Sequence, residues 1–364
     1  MQSGVGPGRL DPAVCEKEIE RTSACLREGL FGQDEPIRRL CEVLRTRAAE
    51  RFLGWDQAVE TGCVNWDRRP WACLLAVGPT GTGKTETARR VADLLFDGRL
   101  ISLNCSEVGP ESPHAVSMWT GAPPGYVGHG GGGLLTNDLQ RHRNAVILFD
   151  EIEKAAAGVV EHVLIPLLGE GTVTDRNNGH TLWATDCVVF CTSNLGTTSA
   201  GGLGTNRPGQ ERQSEQDAQQ MIGLLERRFR QEVMARFHDV LRYAELGREA
   251  KWQVWSSLER DLAGKIGPKT RFVFDKIANE FLEARFAAGM GGARAIADLF
   301  REQVVPLAAG TRQGETVSVT VDAFGRLRRV EDGGGAVCID DVAGTGDSAP
   351  ARPRGLRVKL KERA

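Results

Sequence analysis

The apolar run Cys73-Leu74-Leu75-Ala76-Val77 leads directly into Gly78-Pro79-Thr80-Gly81-Thr82-Gly83-Lys84-Thr85, which fits the phosphate-loop pattern G-x-x-x-x-G-K-[ST]. Few surroundings suit such a loop. A buried strand must feed it and a helix must leave it, so that the helix's first N–H groups and its dipole face the phosphates. The upstream run reads as a buried strand, and downstream Ala88, Val91, Ala92, Leu95 and Phe96 recur at helical spacing. Gly78 to Thr85 are therefore the candidate nucleotide cradle. Lys84 would neutralise the β- and γ-phosphates, and the Thr85 hydroxyl would ligate Mg2+.

Two further apolar runs end in polar residues. Ala145-Val146-Ile147-Leu148-Phe149-Asp150-Glu151 is a strand with two carboxylates at its tip. That arrangement puts Asp150 beside the metal and leaves Glu151 to polarise an attacking water. Cys187-Val188-Val189-Phe190-Cys191-Thr192-Ser193-Asn194 is a third buried strand. Its Asn194 is either a strand-ending turn residue or the group that holds the water against the γ-phosphate. Between the phosphate loop and the acidic strand lies Gly121-Ala122-Pro123-Pro124-Gly125-Tyr126-Val127-Gly128. Glycines on both sides of Tyr126 and Val127 leave the ring little to pack on locally. Taken alone, the segment reads as a surface turn whose tyrosine folds back on its own domain; in this company it reads as a presented aromatic.

In this order, the segments resemble the Clp family of AAA+ protein unfoldases, specifically the module that forms the second ATPase ring of the disaggregases and protease-partner unfoldases. The match runs from about Leu30 to about Val321. The resemblance implies a P-loop α/β domain with a central parallel sheet flanked by helices, followed by a small, mainly helical domain with a short β element. It implies ATP and Mg2+ as ligands, the latter through Thr85 and Asp150. It places Phe31, in Leu30-Phe31-Gly32-Gln33-Asp34, on the adenine side, and makes Tyr126 and Val127 the residues that contact a threaded polypeptide. Asn194 becomes the first sensor. Arg236, at the end of Phe229 to Arg236, resembles an arginine finger reaching a neighbour's site, against the alternative of an arginine on the wet face of a helix. Arg294, in Gly291-Gly292-Ala293-Arg294, looks like the second-sensor arginine. Pro306 and the alternating Val317, Val319 and Val321 match the strand closing the small domain.

The chain also departs from the family pattern. His129-Gly130-Gly131-Gly132-Gly133 stands where an acidic pair is usual, Ala235 where Asn is usual, and His180 where an arginine is usual. A first ATPase ring, a coiled-coil middle domain and an amino-terminal adaptor domain are not read in the chain. Ile222-Gly223-Leu224 spells a protease-docking tripeptide but abuts the helix-like run Leu225 to Arg236, so it reads as core and a protease partner is not expected.

The 364 residues divide into an N-terminal helical or extended segment (1–29), a large ATPase domain (30–244), a small domain (245–330) and a Gly/Pro-rich linker with a basic tail (331–364). Residues 197–220 read as a mobile loop. The tail's Gly355 to Lys361 alternates apolar and basic residues, so it is either an added strand or a solvated segment. Trp55, Trp66 and Trp71 precede the first strand and read as packing residues, with Trp66, beside Asp67-Arg68-Arg69, alternatively marking a partner surface.

A net charge of −2 with 26% charged residues provides no field for DNA or anionic membrane, and neither is expected as a partner. Nine cysteines without C-x-x-C spacing argue for reduced thiols in a cytosol-like compartment, and the six histidines show no metal spacing. No apolar run approaches the roughly 18 residues of a membrane span, so a cytoplasmic protein is expected. The expected function is a homo-oligomeric ring, a hexamer, that threads polypeptide through a pore with or without an adaptor protein. The alternatives are an ATPase dedicated to remodelling one secretion or defence complex, and a nucleotide-gated scaffold or DNA-associated ATPase.

Overall fold

The computed structural model describes residues 12–61, 67–107, 114–126, 129–195, 223, 229 and 231–330. The expected loop at 197–220, the tail at 331–364, Trp66, Val127, Gly128, Ile222 and Leu224 lie outside the described residues. The chain forms two compact units that divide between Glu245 and Leu246.

The first unit opens with helices α1 (Pro12–Gly29) and α2 (Asp34–Thr61), followed by β1 (Ala72–Val77), α3 (Lys84–Leu95) and β2 (Leu100–Asn104). Next come α4 (Ala115–Thr120), α5 (Leu134–Arg141), β3 (Val146–Asp150), a hairpin of β4 (Thr172–Thr174) and β5 (Thr181–Trp183), β6 (Val188–Ser193) and β7 (Asp239–Arg242). Five strands form one sheet in the order β2-β3-β6-β1-β7, and every pairing in it is parallel. The apolar runs expected as strands are β1, β3 and β6, each shifted by one residue at its start.

These runs are continuously apolar because both faces of the sheet are covered. Side chains alternate across a strand, so Cys73, Leu75 and Val77 enter one core while Ala72, Leu74 and Ala76 enter the other. Ile147 and Phe149 of β3 and Val189 and Cys191 of β6 join the first core, where Trp119 packs on Phe149 with ring centroids 5.6 Å apart. Val146, Leu148, Val188 and Phe190 join the second, with Ile19 and Leu26 of α1, Leu40 of α2 and Ala88, Val91 and Ala92 of α3. Trp71 packs edge-on against Phe96 beside that core. Burial pushes the Cys73, Cys105 and Cys187 thiols up to about 12, which keeps them protonated at neutral pH. No helix among the described residues is long and apolar enough to cross a membrane.

One imidazole ties the sheet's edge strand to its centre. His238 Nδ1 accepts the Cys73 N–H at 2.8 Å, and the His238 N–H donates to the Cys73 carbonyl at 2.8 Å. Burial first, then Arg47 and Arg69, hold this histidine down to about 4 from 6.5. The folded state thus keeps His238 neutral while the unfolded chain protonates it. Its contribution is complete above pH 6.5 and is lost as pH falls toward 4, at up to about 1.4 kcal/mol per pH unit. We expect His238→Asn, whose side-chain oxygen can accept the same bond, to flatten the dependence of the urea midpoint on pH across that window. An unchanged slope would contradict this assignment.

The second unit joins helices Arg248–Ile266, Lys276–Ala287 and Ala293–Gln303 to a three-stranded sheet of β8 (Arg271–Phe274), β9 (Thr316–Val321) and β10 (Leu327–Arg329). Strand β9 pairs parallel with β8 and antiparallel with β10. Val317 and Val319 are buried and Ser318 is exposed, which is the alternation read in the sequence. Trp255 anchors this core with edge contacts to Phe274, Phe286 and Phe300 at 5.0–6.1 Å. The buried Lys251 ammonium donates to the Phe286 carbonyl at 3.0 Å, near the end of the second helix, where a cation complements the dipole.

Candidate functional site

The phosphate loop leaves the carboxyl end of β1, which lies between β6 and β7, and enters α3 at Lys84. Open parallel sheets bind ligands beyond the carboxyl ends of their strands. Gly78, Gly81 and Gly83 all adopt positive φ (148°, 75° and 102°). A Cβ on Gly78 would lie 2.3 Å from the Tyr243 carbonyl oxygen, and one on Gly83 would lie 2.9 Å from Leu30 Cδ2. Conformation thus favours glycine at all three positions, and at Gly78 the close approach of the Tyr243 backbone requires it as well. The loop is braced internally: the buried Lys84 ammonium donates to the Gly78 and Pro79 carbonyls, each at 2.7 Å, and the Thr82 hydroxyl donates to Pro79 at 2.8 Å. Behind it, the buried Tyr243 hydroxyl donates to Thr87 Oγ1 at 2.8 Å.

Leu30 and half-buried Phe31 sit where α1 turns into α2. Gln33 fixes that turn by donating to the Ala244 carbonyl at 2.9 Å and accepting the Ala244 N–H at 3.1 Å. The segment read as adenine-side therefore lies against Gly83 of the phosphate loop.

Alternation also places the acids. Asp150 continues the Val146-Leu148 face of β3, and Thr192 continues the Val188-Phe190 face of β6, so both emerge on the face that α3 covers. Thr85 Oγ1 at the start of α3 lies 3.1 and 3.2 Å from the two Asp150 carboxylate oxygens. Thr192 Oγ1 donates to Asp150 Oδ1 and accepts the Glu151 N–H at 3.0 Å. Glu151 itself adopts φ 56° and ψ 50°, the left-handed region. For a residue with a Cβ such a conformation costs of order 1–3 kcal/mol and persists where its surroundings over-determine it. The Glu151 carboxylate accepts Asn194 Nδ2 at 3.2 Å on one oxygen and pairs with Lys154 Nζ at 2.6 Å on the other. The Asn194 N–H donates to Glu153 Oε1 at 3.1 Å.

The structure thus gathers Lys84, Thr85, Asp150, Glu151 and Asn194 at one sheet end. Sequence reasoning passed over Thr192, Lys154 and Tyr243. Alternation from Phe190 marks Thr192, and the i+3 spacing from Glu151 marks Lys154, but no local signal marks Tyr243.

Of the helix-like run Leu225 to Arg236 read in the sequence, residues 225–228 and 230 lie outside the described residues; Gln231–Met234 is helical, and Arg236 follows it in a turn ahead of β7. Its guanidinium donates to the Ile165 carbonyl at 3.1 Å and to Glu232 Oε1 at 2.8 Å. Arg294 is the exposed second residue of helix Ala293–Gln303 in the other unit.

The loop carrying Tyr126 has a pinched neck. A Cβ on Gly133 would lie 2.3 Å from the Trp119 carbonyl oxygen and 2.4 Å from the Gly121 nitrogen. The loop rests on the β4–β5 turn through Arg176 N–H to the Thr120 carbonyl at 2.8 Å and Gly130 N–H to Asn177 Oδ1 at 2.7 Å. Buried Asp175 holds that turn, accepting the Asn177 N–H at 2.9 Å and Gln140 Nε2 at 3.0 Å. From this platform the Tyr126 ring projects 70% exposed.

Comparison with known proteins gives the family. The AAA domain (Cdc48 subfamily) description matches residues 69–240. The chaperone protein ClpB of Streptomyces albus G is 33% identical over 349 residues, covering 91% of this chain and 36% of that protein. The ATP-dependent Clp protease ATP-binding subunit ClpC of Staphylococcus aureus is 33% identical over 337 residues, covering 89% of this chain and 39% of the relative. The chain belongs to the Clp/Hsp100 family of AAA+ ATPases. Membership implies binding and hydrolysis of ATP. The fold matches the Saccharomyces cerevisiae Hsp104:casein complex with a TM-score of 0.69 at 26% identity, over 90% of this chain and 55% of that one. A closed state of Hsp104 with ATPγS and FITC casein matches in fold with a TM-score of 0.66 at 24% identity, over 86% of this chain and 52% of that one. This Clp-family chain spans about a third of the length of the curated relatives it matches.

Proposed function

We propose that this chain is the motor of a cytoplasmic homo-oligomeric ring, a hexamer, that spends ATP hydrolysis on drawing polypeptide past Tyr126. The observation that carries the reading is an aromatic residue held 70% exposed on a braced loop of the same unit that carries the phosphate loop. Exposed aromatics of this kind serve as anchors in recognition. Relatives solved in complex with casein support a polypeptide as the thing gripped.

In this reading Lys84 and the loop N–H groups bind the triphosphate, and phosphate oxygens replace the carbonyls that now occupy the ammonium. Thr85 and Asp150 offer the oxygen ligands that a hard Mg2+ takes. Bound there, Mg2+ would neutralise charge on the β- and γ-phosphates. Glu151 acts as general base toward water, Asn194 orients it, and Phe31 lies on the adenine side. Arg236 serves a neighbouring subunit's site, and Arg294 reports nucleotide state from the small domain. The domain limits that follow are 30–244 for the large and 245–330 for the small domain. Val127 joins Tyr126 in contacting the chain being pulled.

Tyr126→Ala tests the grip. Truncating an aromatic anchor costs about 2 kcal/mol or more, roughly 30-fold in an equilibrium constant. We expect stimulation of ATP turnover by an unfolded polypeptide to disappear, with turnover in its absence kept within about twofold of wild type. Full stimulation in the variant, or stimulation of the wild type by DNA and not by polypeptide, would refute the reading.

A further inference from the structure

We infer that Thr192 is a positioning residue for hydrolysis, whose hydroxyl holds the Glu151 backbone in its left-handed conformation and so aims the Glu151 carboxylate. The inference rests on the reading of Glu151 as general base. Thr192 lies one residue beyond the last paired position of β6 against β3, Cys191 opposite Phe149, which sets its side chain beside the Asp150–Glu151 junction. It is 1% exposed, so water does not compete for its hydroxyl. A hydroxyl has one proton to give and lone pairs to receive. Here the proton goes to Asp150 Oδ1, and a lone pair takes the Glu151 N–H at 3.0 Å.

That second bond is the consequential one. The Glu151 φ of 56° is a conformation a residue with a Cβ leaves unless it is held, and relaxation would swing the carboxylate away from Asn194, now 3.2 Å from it. The Lys154 N–H, 2.9 Å from the Glu151 carbonyl, starts the turn that follows but does not fix the peptide that precedes Glu151. That peptide is held at both ends: its carbonyl, on Asp150, accepts the Cys105 N–H at 2.9 Å, and its N–H, on Glu151, donates to Thr192, which links it to the same Asp150 that meets Thr85.

Thr192→Val keeps the shape and removes the hydroxyl, whereas Thr192→Ser keeps the hydroxyl. Misplacing a reacting group by about 1 Å costs on the order of 10²-fold in rate. We expect Thr192→Val to lower kcat by roughly 10- to 100-fold with KM for ATP within about twofold, and Thr192→Ser to recover kcat to within about threefold of wild type. A structural role would instead move KM and melting temperature along with kcat. In a Glu151→Gln background, Thr192→Val should change the single-turnover rate by less than about twofold, since residues that act as a unit are not additive. Wild-type kcat in Thr192→Val, no recovery in Thr192→Ser, or a full additional loss on top of Glu151→Gln would overturn the inference while leaving the general-base reading standing. Wild-type turnover in Glu151→Gln alone would overturn both.

Discussion

Glu151→Gln should slow ATP hydrolysis by about 10²- to 10⁴-fold, the contribution of a positioned general base, while leaving ATP binding intact. In barrier height this is roughly 3–5 kcal/mol. Gln has the same shape and keeps an oxygen for Asn194 Nδ2, now 3.2 Å from Glu151 Oε1. It loses the basicity and the ion pair with Lys154. That pair joins a half-exposed lysine to a partly exposed carboxylate, so its loss costs at most about 1 kcal/mol of stability. The phosphate loop, whose braces run through Lys84 and Thr82, is untouched. The expected signature is a variant that holds ATP without turning it over, read by retained nucleotide after rapid desalting. Turnover reduced less than about threefold, or ATP affinity lost in step with turnover, would remove Glu151 from the role.

Arg236→Ala should cost roughly 10³-fold or more, because a guanidinium that stabilises transition-state charge from a neighbouring subunit is worth about 10³ to 10⁵. In the single chain the group rests on Ile165 and Glu232. Its ion pair with Glu232 is largely solvated on the acid's side, the class of contact worth about 0–1 kcal/mol, so reaching a partner would mean giving up chiefly the bond to the Ile165 carbonyl. Action between subunits has a test that action within one subunit fails. An Arg236→Ala subunit keeps a whole nucleotide site, and a Lys84→Ala subunit keeps the arginine. Each variant alone should be nearly inert, and mixing them in equal amounts should restore measurable turnover. A mixture as inert as its components would place Arg236 in its own subunit's site or in the fold alone.

What the sequence made legible was what short range encodes. The strands ending at Val77, Asp150 and Ser193 were readable because a sheet covered on both faces demands unbroken apolar runs. The loop between Gly78 and Thr85 was readable because its chemistry fixes its spacing. The presentation of Tyr126 followed from the glycines around it. The rest depends on contacts across the chain that no local pattern records. Gln33 bonds to Ala244, 211 positions away, and Tyr243 walls the phosphate loop from the end of β7, a strand of only four residues. The left-handed backbone at Glu151 defies local preference, which is the usual mark of a site where strain is tied to function.

The coupling of ATP turnover to pulling is tested most directly by following a folded, tagged fluorescent protein mixed with this chain and ATP, with particle mass measured in the same solution. We expect a closed ring and loss of the client's fluorescence that requires hydrolysable ATP and vanishes with Tyr126→Ala. A single subunit that hydrolyses ATP at full rate while the fluorescence stays constant would contradict the account.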